Sequence, residues 1–216
     1  MLVKRVKYIF NIMRTLKEDF FDNIGIGEKS QIEQWLRNNK INNFKINDDL
    51  TIDVNGYVDL KNYTENQLPD YIQFGNIKGS FYINISNIIS LQGCPKEVGG
   101  CFSCRECSKL ESLEGAPEKV GRDFYCYNCP KLESLNGAPK FVGRDFNCNM
   151  CKKLKSIQGS PRIINGNFTC GECSKLESLN GAPEFVGGDF NCKKCASKFI
   201  KDDVKKVSKV KGKIYT

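Results

Sequence analysis

Apolar positions recur along the chain at a fixed interval. Phe102, Phe124, Phe146, Phe168 and Phe190 stand 22 residues apart. Two positions on come Cys104, Cys126, Cys148, Cys170 and Cys192, and three further Cys107, Cys129, Cys151, Cys173 and Cys195. Leu110, Leu132, Leu154 and Leu176 form the next column, followed by Leu91, Leu113, Leu135, Ile157 and Leu179. A Gly-Ala-Pro signal, or its Gly-Cys-Pro and Gly-Ser-Pro variants, recurs at Gly93, Gly115, Gly137, Gly159 and Gly181, and Val98, Val120, Val142, Ile164 and Val186 complete the unit. Phe-x-Cys alternates with period two, which puts both side chains on one face of a short strand. Gly-Ala-Pro turns the chain back. One such unit cannot bury its apolar side alone, whereas copies stacked about 4.8 Å apart build a continuous core.

The positions between these columns agree with stacking. Cys94, Ala116, Ala138, Ser160 and Ala182 are small, as a sharp bend requires. Phe81, Ile83 and Ser86 stand in the Phe, first-Cys and second-Cys places of an earlier turn, and Val58 and Leu60 form the first rung. An aliphatic residue can replace a packing thiol but not a metal ligand.

The ends break the period. Ser30 followed by Glu33 is a capping-box signature, and Ile32, Trp35 and Leu36 form an apolar helical stripe. This predicts an N-terminal helix covering the end of the coil. Residues 199–208 read as a short amphipathic helix, and the last six residues as an edge strand blunted by lysines. Val6, Ile9, Phe10, Met13, Leu16 and Phe20 have helical spacing with basic residues between them, an additional helix or a partner- or membrane-surface segment. The expected organisation is a basic helical extension (1–28), a capping helix (29–48), a solenoid of about seven rungs (49–198) and a helix-strand cap (199–216).

Twelve cysteines and no histidine raise the question of chemistry. Cys104-x-x-Cys107 and Cys126-x-x-Cys129 lie eighteen residues apart, within the spacing of four-cysteine zinc sites. Five pairs leave one without a partner, however, and the same period is carried by Phe, Leu, Gly and Pro. Interior packing is therefore the favoured reading: free Cys packs as a small hydrophobe with a weak S–H donor. Zinc binding is the remote alternative. Thiol redox chemistry needs an exposed, low-pKa thiolate at a helix start, and these pairs begin on a strand. No metal or other cofactor is expected. Cys101 replaces the Asp123, Asp145, Asn167 and Asp189 column, read as facing outward, and is the candidate surface thiol. Without His or a nucleophile–base pair, an enzyme is not expected.

Composition narrows the rest. The chain has 216 residues and a net charge of +8. Residues 196–216 alone carry +5, while the repeats between 86 and 195 carry only +3. A nucleic-acid groove would put a basic stripe along the repeats, so nucleic-acid or nucleoprotein binding through the basic termini is an alternative. No apolar run reaches about 18 residues, so no membrane span is expected. Charges break up the first apolar stretch, no cleavage site follows, and a secretory signal is not expected. The thiols then belong in a reducing cytoplasm, where disulfides are disfavoured.

The stretch Lys-Leu-Glu-Ser-Leu-Asn-Gly-Ala-Pro that leads into Phe146 and Cys151 resembles the leucine-rich repeat pattern. Phe146 and Cys148 match its strand positions, Cys151 its Asn/Cys position, and Leu132 and Leu135 its aliphatic positions. The Pro in the return segment is similar to the bacterial and phage type, and the resemblance runs from Gln31 to Thr216. It implies a β-rich solenoid with short parallel strands on a concave face, an α-helical N-terminal cap and a helix-strand C-terminal cap. It also implies a non-enzymatic protein-binding module, in a mobile-element setting an anti-CRISPR-like inhibitor of a host or defence protein. Tyr and Arg are enriched at interface hot spots. The candidate partner-binding residues are Arg122, Tyr125, Tyr127, Arg144 and Asn147.

Overall fold

The computed structural model describes residues 27–216. The chain divides into two units, Met1–Asn42 and Asn43–Thr216; the proposed helix over Val6–Phe20 lies outside the described residues.

In the first unit, helix α1 spans Glu28–Asn38 and buries Ile32 and Leu36. It begins two residues before the expected Ser30 cap. Gly27, in extended conformation, is the N-cap and makes no side-chain cap hydrogen bond, so Ser30 lies inside the first turn. Glu28 in the first turn and Arg37 in the last complement the helix dipole. At the other end Lys40 is left-handed (φ 57°). The Ile41 N–H then bonds back to the Leu36 carbonyl at 2.9 Å, satisfying a carbonyl the helix leaves open.

The second unit opens with an antiparallel hairpin, β1 (Phe44–Ile46) and β2 (Ile52–Val54). From β2 onward the chain coils, laying down two strands per turn. The first turn holds β2 and β3 (Val58–Asp59), the second β4 (Phe74–Ile77) and β5 (Phe81–Tyr82), the third β6 (Glu97–Val98) and β7 (Phe102–Ser103). The fourth holds β8 (Lys119–Val120) and β9 (Phe124–Tyr125), the fifth β10 (Phe141–Val142) and β11 (Phe146–Asn147). The sixth holds β12 (Ile163–Ile164) and β13 (Phe168–Thr169), the seventh β14 (Phe185–Val186) and β15 (Phe190–Asn191). Helix α2 (Lys201–Val207) follows, then β16 (Lys209–Val210) and β17 (Ile214–Tyr215) close the stacks. Even-numbered strands form one parallel sheet, here sheet A, and odd-numbered strands from β3 form sheet B. This is a β-solenoid repeat protein of about seven turns with a helix-strand end.

The Phe-x-Cys strand is thus one of two per turn. The Val column is the inward position of the other: Val98, Val120, Val142, Ile164 and Val186 are buried on sheet A. Phe81, Phe102, Phe124, Phe146 and Phe168 stack with centroids 5.0–5.7 Å apart and planes within 22°. Each buried ring contributes roughly 1.5–3 kcal/mol. Two left-handed bends per turn bring the chain round. One lies between the paired cysteines, at Glu106, Asn128, Met150, Glu172 and Lys194 (φ 55–59°), and the other at the glycine of each Gly-x-Pro signal (φ 79–91°).

Helix α2 starts after Ile200, whose N–H donates to the Asp203 carboxylate at 3.0 Å; Val204 faces inward, and Lys205 and Lys206 occupy the last turn.

Candidate functional site

The paired cysteines lie in two inward columns with different roles. In each turn the second thiol donates to the carbonyl of the first-column residue one turn back. Cys129 reaches the Cys104 carbonyl, Cys151 that of Cys126, Cys173 that of Cys148 and Cys195 that of Cys170, each at 3.3 Å. Cys107 reaches the Ile83 carbonyl at 3.2 Å, and Ser86, in the same column but in the turn of Ile83 itself, bonds that carbonyl at 2.9 Å. The first-column thiols Cys104, Cys126, Cys148 and Cys170 are fully buried, and Cys148 donates to the Thr169 carbonyl at 3.5 Å. Burial pushes the thiols of Cys126, Cys148 and Cys170 well above their ordinary value and that of Cys151 up to about 12. All twelve cysteines are free. Among the described residues no group of three or more Cys, Asp, Glu or His side chains is placed to hold a metal ion.

The Asp column does not face outward as expected. Asp123 is 7% exposed, Asp145, Asn167 and Asp189 are half-buried, and the column bonds from turn to turn at the corner before the sheet B strands. The Asp123 carboxylate accepts the Asp145 N–H (3.1 Å), Asp145 that of Asn167 (2.8 Å), Asn167 that of Asp189 (2.7 Å) and Asp189 that of Lys213 (2.7 Å). An acceptor is required here because the strands end at the corner and leave amides without ladder partners. Cys101 interrupts the column. Its half-buried thiol donates to Asp123 Oδ2 at 3.3 Å. Burial raises its pKa, so it holds its proton as a donor and lacks the thiolate character of a reactive cysteine.

Sheet B presents its outward positions as a surface. Tyr125 pairs in register with Asn147 on the next turn. The rings of Tyr125 and Tyr127 meet edge-on, 6.4 Å apart at 80°. Asn147 Oδ1 accepts the Asn149 N–H at 3.0 Å. Arg122 and Arg144 occupy the corner beside Asp123 in successive turns, and the Arg144 N–H donates to the Arg122 carbonyl at 3.0 Å. Both side chains are exposed, and the Arg144 guanidinium lies 3.9 Å from Asp123. Tyr125, Tyr127 and Asn147 therefore share the outer face of sheet B on turns four and five, and the two arginines border it. Burial, with the Asp123 carboxylate adding to it, pushes the Tyr125 phenol up to about 12.

Arg105 joins this cluster and was missing from the candidates. Its guanidinium lies 5.7 Å from the Tyr127 ring centroid, and Nη1 donates to the Tyr127 hydroxyl. The signal was available: Arg105 is 22 residues before Tyr127 and therefore its neighbour in the stack. Lys193 over Tyr215, at 4.9 Å, repeats the cation–aromatic pairing at the far end of the same face.

Comparison with known proteins finds no matching family model, no matching curated protein and no matching solved structure. No described helix is long and apolar enough to cross a membrane.

Proposed function

We propose that this chain is a binding module without chemistry of its own, which captures a protein partner on the outer face of sheet B. The observation that carries this reading is the cluster of Arg105, Tyr125, Tyr127 and Asn147 on adjacent turns, bordered by Arg122 and Arg144. Its aromatic rings are held in place by neighbours, so binding costs little side-chain entropy, and Tyr and Arg dominate interface hot spots. The buried, protonated thiols fit structural filler better than a reactive centre. The resemblance to bacterial and phage-type leucine-rich repeats supports the sharper form: a cytoplasmic protein of a mobile element that blocks a host or defence protein. Affinity capture from the native cell, followed by mass spectrometry, tests the reading. Tyr125→Ala with Tyr127→Ala is expected to abolish retention of the partner. Unchanged retention refutes this placement, and retention of nucleic acid that falls steeply with salt supports the basic termini instead.

A further inference from the structure

A second surface lies on the outer face of sheet A. Its strands put one residue inward and one outward, and register fixes the outward row as Glu97, Lys119, Phe141, Ile163, Phe185 and Lys209. Three adjacent members are large and apolar. Ile163 is 44% exposed, and Phe141 and Phe185 are half-buried. The neighbouring lane holds Gly121, Gly143 and Gly187, with Asn165 beside Ile163, so the apolar row is flanked mostly by positions without side chains.

The charges around this row are unequal. Along one flank they cancel: Arg162 holds Glu184 through two bonds at 2.8 and 2.9 Å, and Lys140 pairs with Glu118 at 3.3 Å. At the ends they do not. Lys119 and Lys209 make no ion pair among the described residues, and Lys211 sits 5.4 Å from the Phe185 ring centroid. Beyond that lane stand the exposed Arg122 and Arg144, the latter paired with Asp123 at 3.9 Å. Glu97, next to Lys119 in register, is the row's one carboxylate; against it stand Lys119, Lys209 and Lys211, so the net charge around the apolar row is positive.

A second copy of this chain is a poor occupant. Two-fold pairing would set Phe141 against Phe185 and Ile163 against itself, but it would also bring Lys119 against Lys209. Phe141 to Phe185 spans two strand spacings, about 9.6 Å. That matches the rise of about 10.5 Å between helix positions i and i+7. We infer that sheet A docks an acidic amphipathic helix of a partner protein, its apolar stripe along Phe141, Ile163 and Phe185 and its carboxylates toward Lys119, Lys209 and Lys211. This surface is separate from the tyrosine cluster.

The test is fluorescence anisotropy of the full chain with labelled helical peptides of about 15 residues, some 22 Å long. One carries leucines at i, i+4 and i+7 on a glutamate background, one has lysines in place of the glutamates, and one has serines in place of the leucines. Saturable binding of the first alone is expected. Ile163→Lys should weaken it about tenfold or more. Lys119→Glu with Lys209→Glu should weaken it and flatten its salt dependence. Lys109→Ala, away from this face, should leave it unchanged. These side chains stand outward, and circular dichroism checks that each variant keeps its fold. The inference is overturned if no peptide binds, if the basic or leucine-free peptide binds equally, or if Ile163→Lys and the double lysine variant have no effect. It is also overturned if the chain sediments as a dimer that Ile163→Lys dissociates.

Discussion

Thiols of the two cysteine columns should respond oppositely to the same substitutions. Cys126 is fully buried, whereas Cys151 donates to the Cys126 carbonyl at 3.3 Å. Serine in place of Cys126 buries a hydroxyl with no acceptor aimed at it, a cost of about 1–3 kcal/mol. Serine in place of Cys151 keeps a donor in the same position, so its cost stays within about 1 kcal/mol. Valine reverses the order. At Cys126 it keeps an apolar filler, at a cost below about 1.5 kcal/mol. At Cys151 it strips the donor from a buried carbonyl, at a cost of about 1–3 kcal/mol. The second turn already carries an aliphatic residue, Ile83, in the first column and a hydroxyl, Ser86, in the second, and that hydroxyl finds an acceptor, the Ile83 carbonyl of its own turn, at 2.9 Å. Urea unfolding of the four single variants measures the pattern. A loss of 2 kcal/mol lowers the midpoint by roughly 0.7–2 M for slopes of 1–3 kcal/mol/M. If Cys126→Ser is no worse than Cys151→Ser, the columns are equivalent and the reasoning fails.

The same burial makes the fold sensitive to alkali. Thiols such as Cys126, Cys148 and Cys170 have raised pKa values in the folded state, so their stabilisation is complete below the unfolded thiol value of about 8.5. It is lost as pH rises toward the folded values, by about 1.4 kcal/mol per pH unit for each thiol. The urea midpoint should therefore fall steeply above pH 9, and a midpoint constant to pH 10.5 would sink the claim. Gly137→Ala should lower the melting temperature by several degrees. The residue sits at φ 87°, and its new Cβ would stand 2.4–2.5 Å from backbone atoms of Leu113 and Glu114. A left-handed alanine costs about 1–2 kcal/mol before that clash is counted, and an unchanged melting curve would show that the turn can rearrange.

What the sequence determined by itself was periodic. A side chain that must pack against its own copy in the next turn has to recur at one interval, so the Phe, Cys, Leu and Val columns, and with them the solenoid, were legible. So were helix α1, from its apolar stripe, and the helix-strand end. Positions decided by hydrogen bonds between turns were not. The Asp123 column looked outward because carboxylates usually are, but in the structure each accepts an amide 22 residues away, and only the stack brings those groups together. The two cysteine columns looked alike because the period does not say which thiol lies beneath a carbonyl. The outward row of sheet A mixes Glu97, Lys119, Phe141, Ile163, Phe185 and Lys209, with no common residue type to betray it. Inward positions share one environment and converge on similar residues, whereas outward positions answer to solvent or a partner. Their neighbours across the stack are set by strand register, which the tertiary structure alone decided.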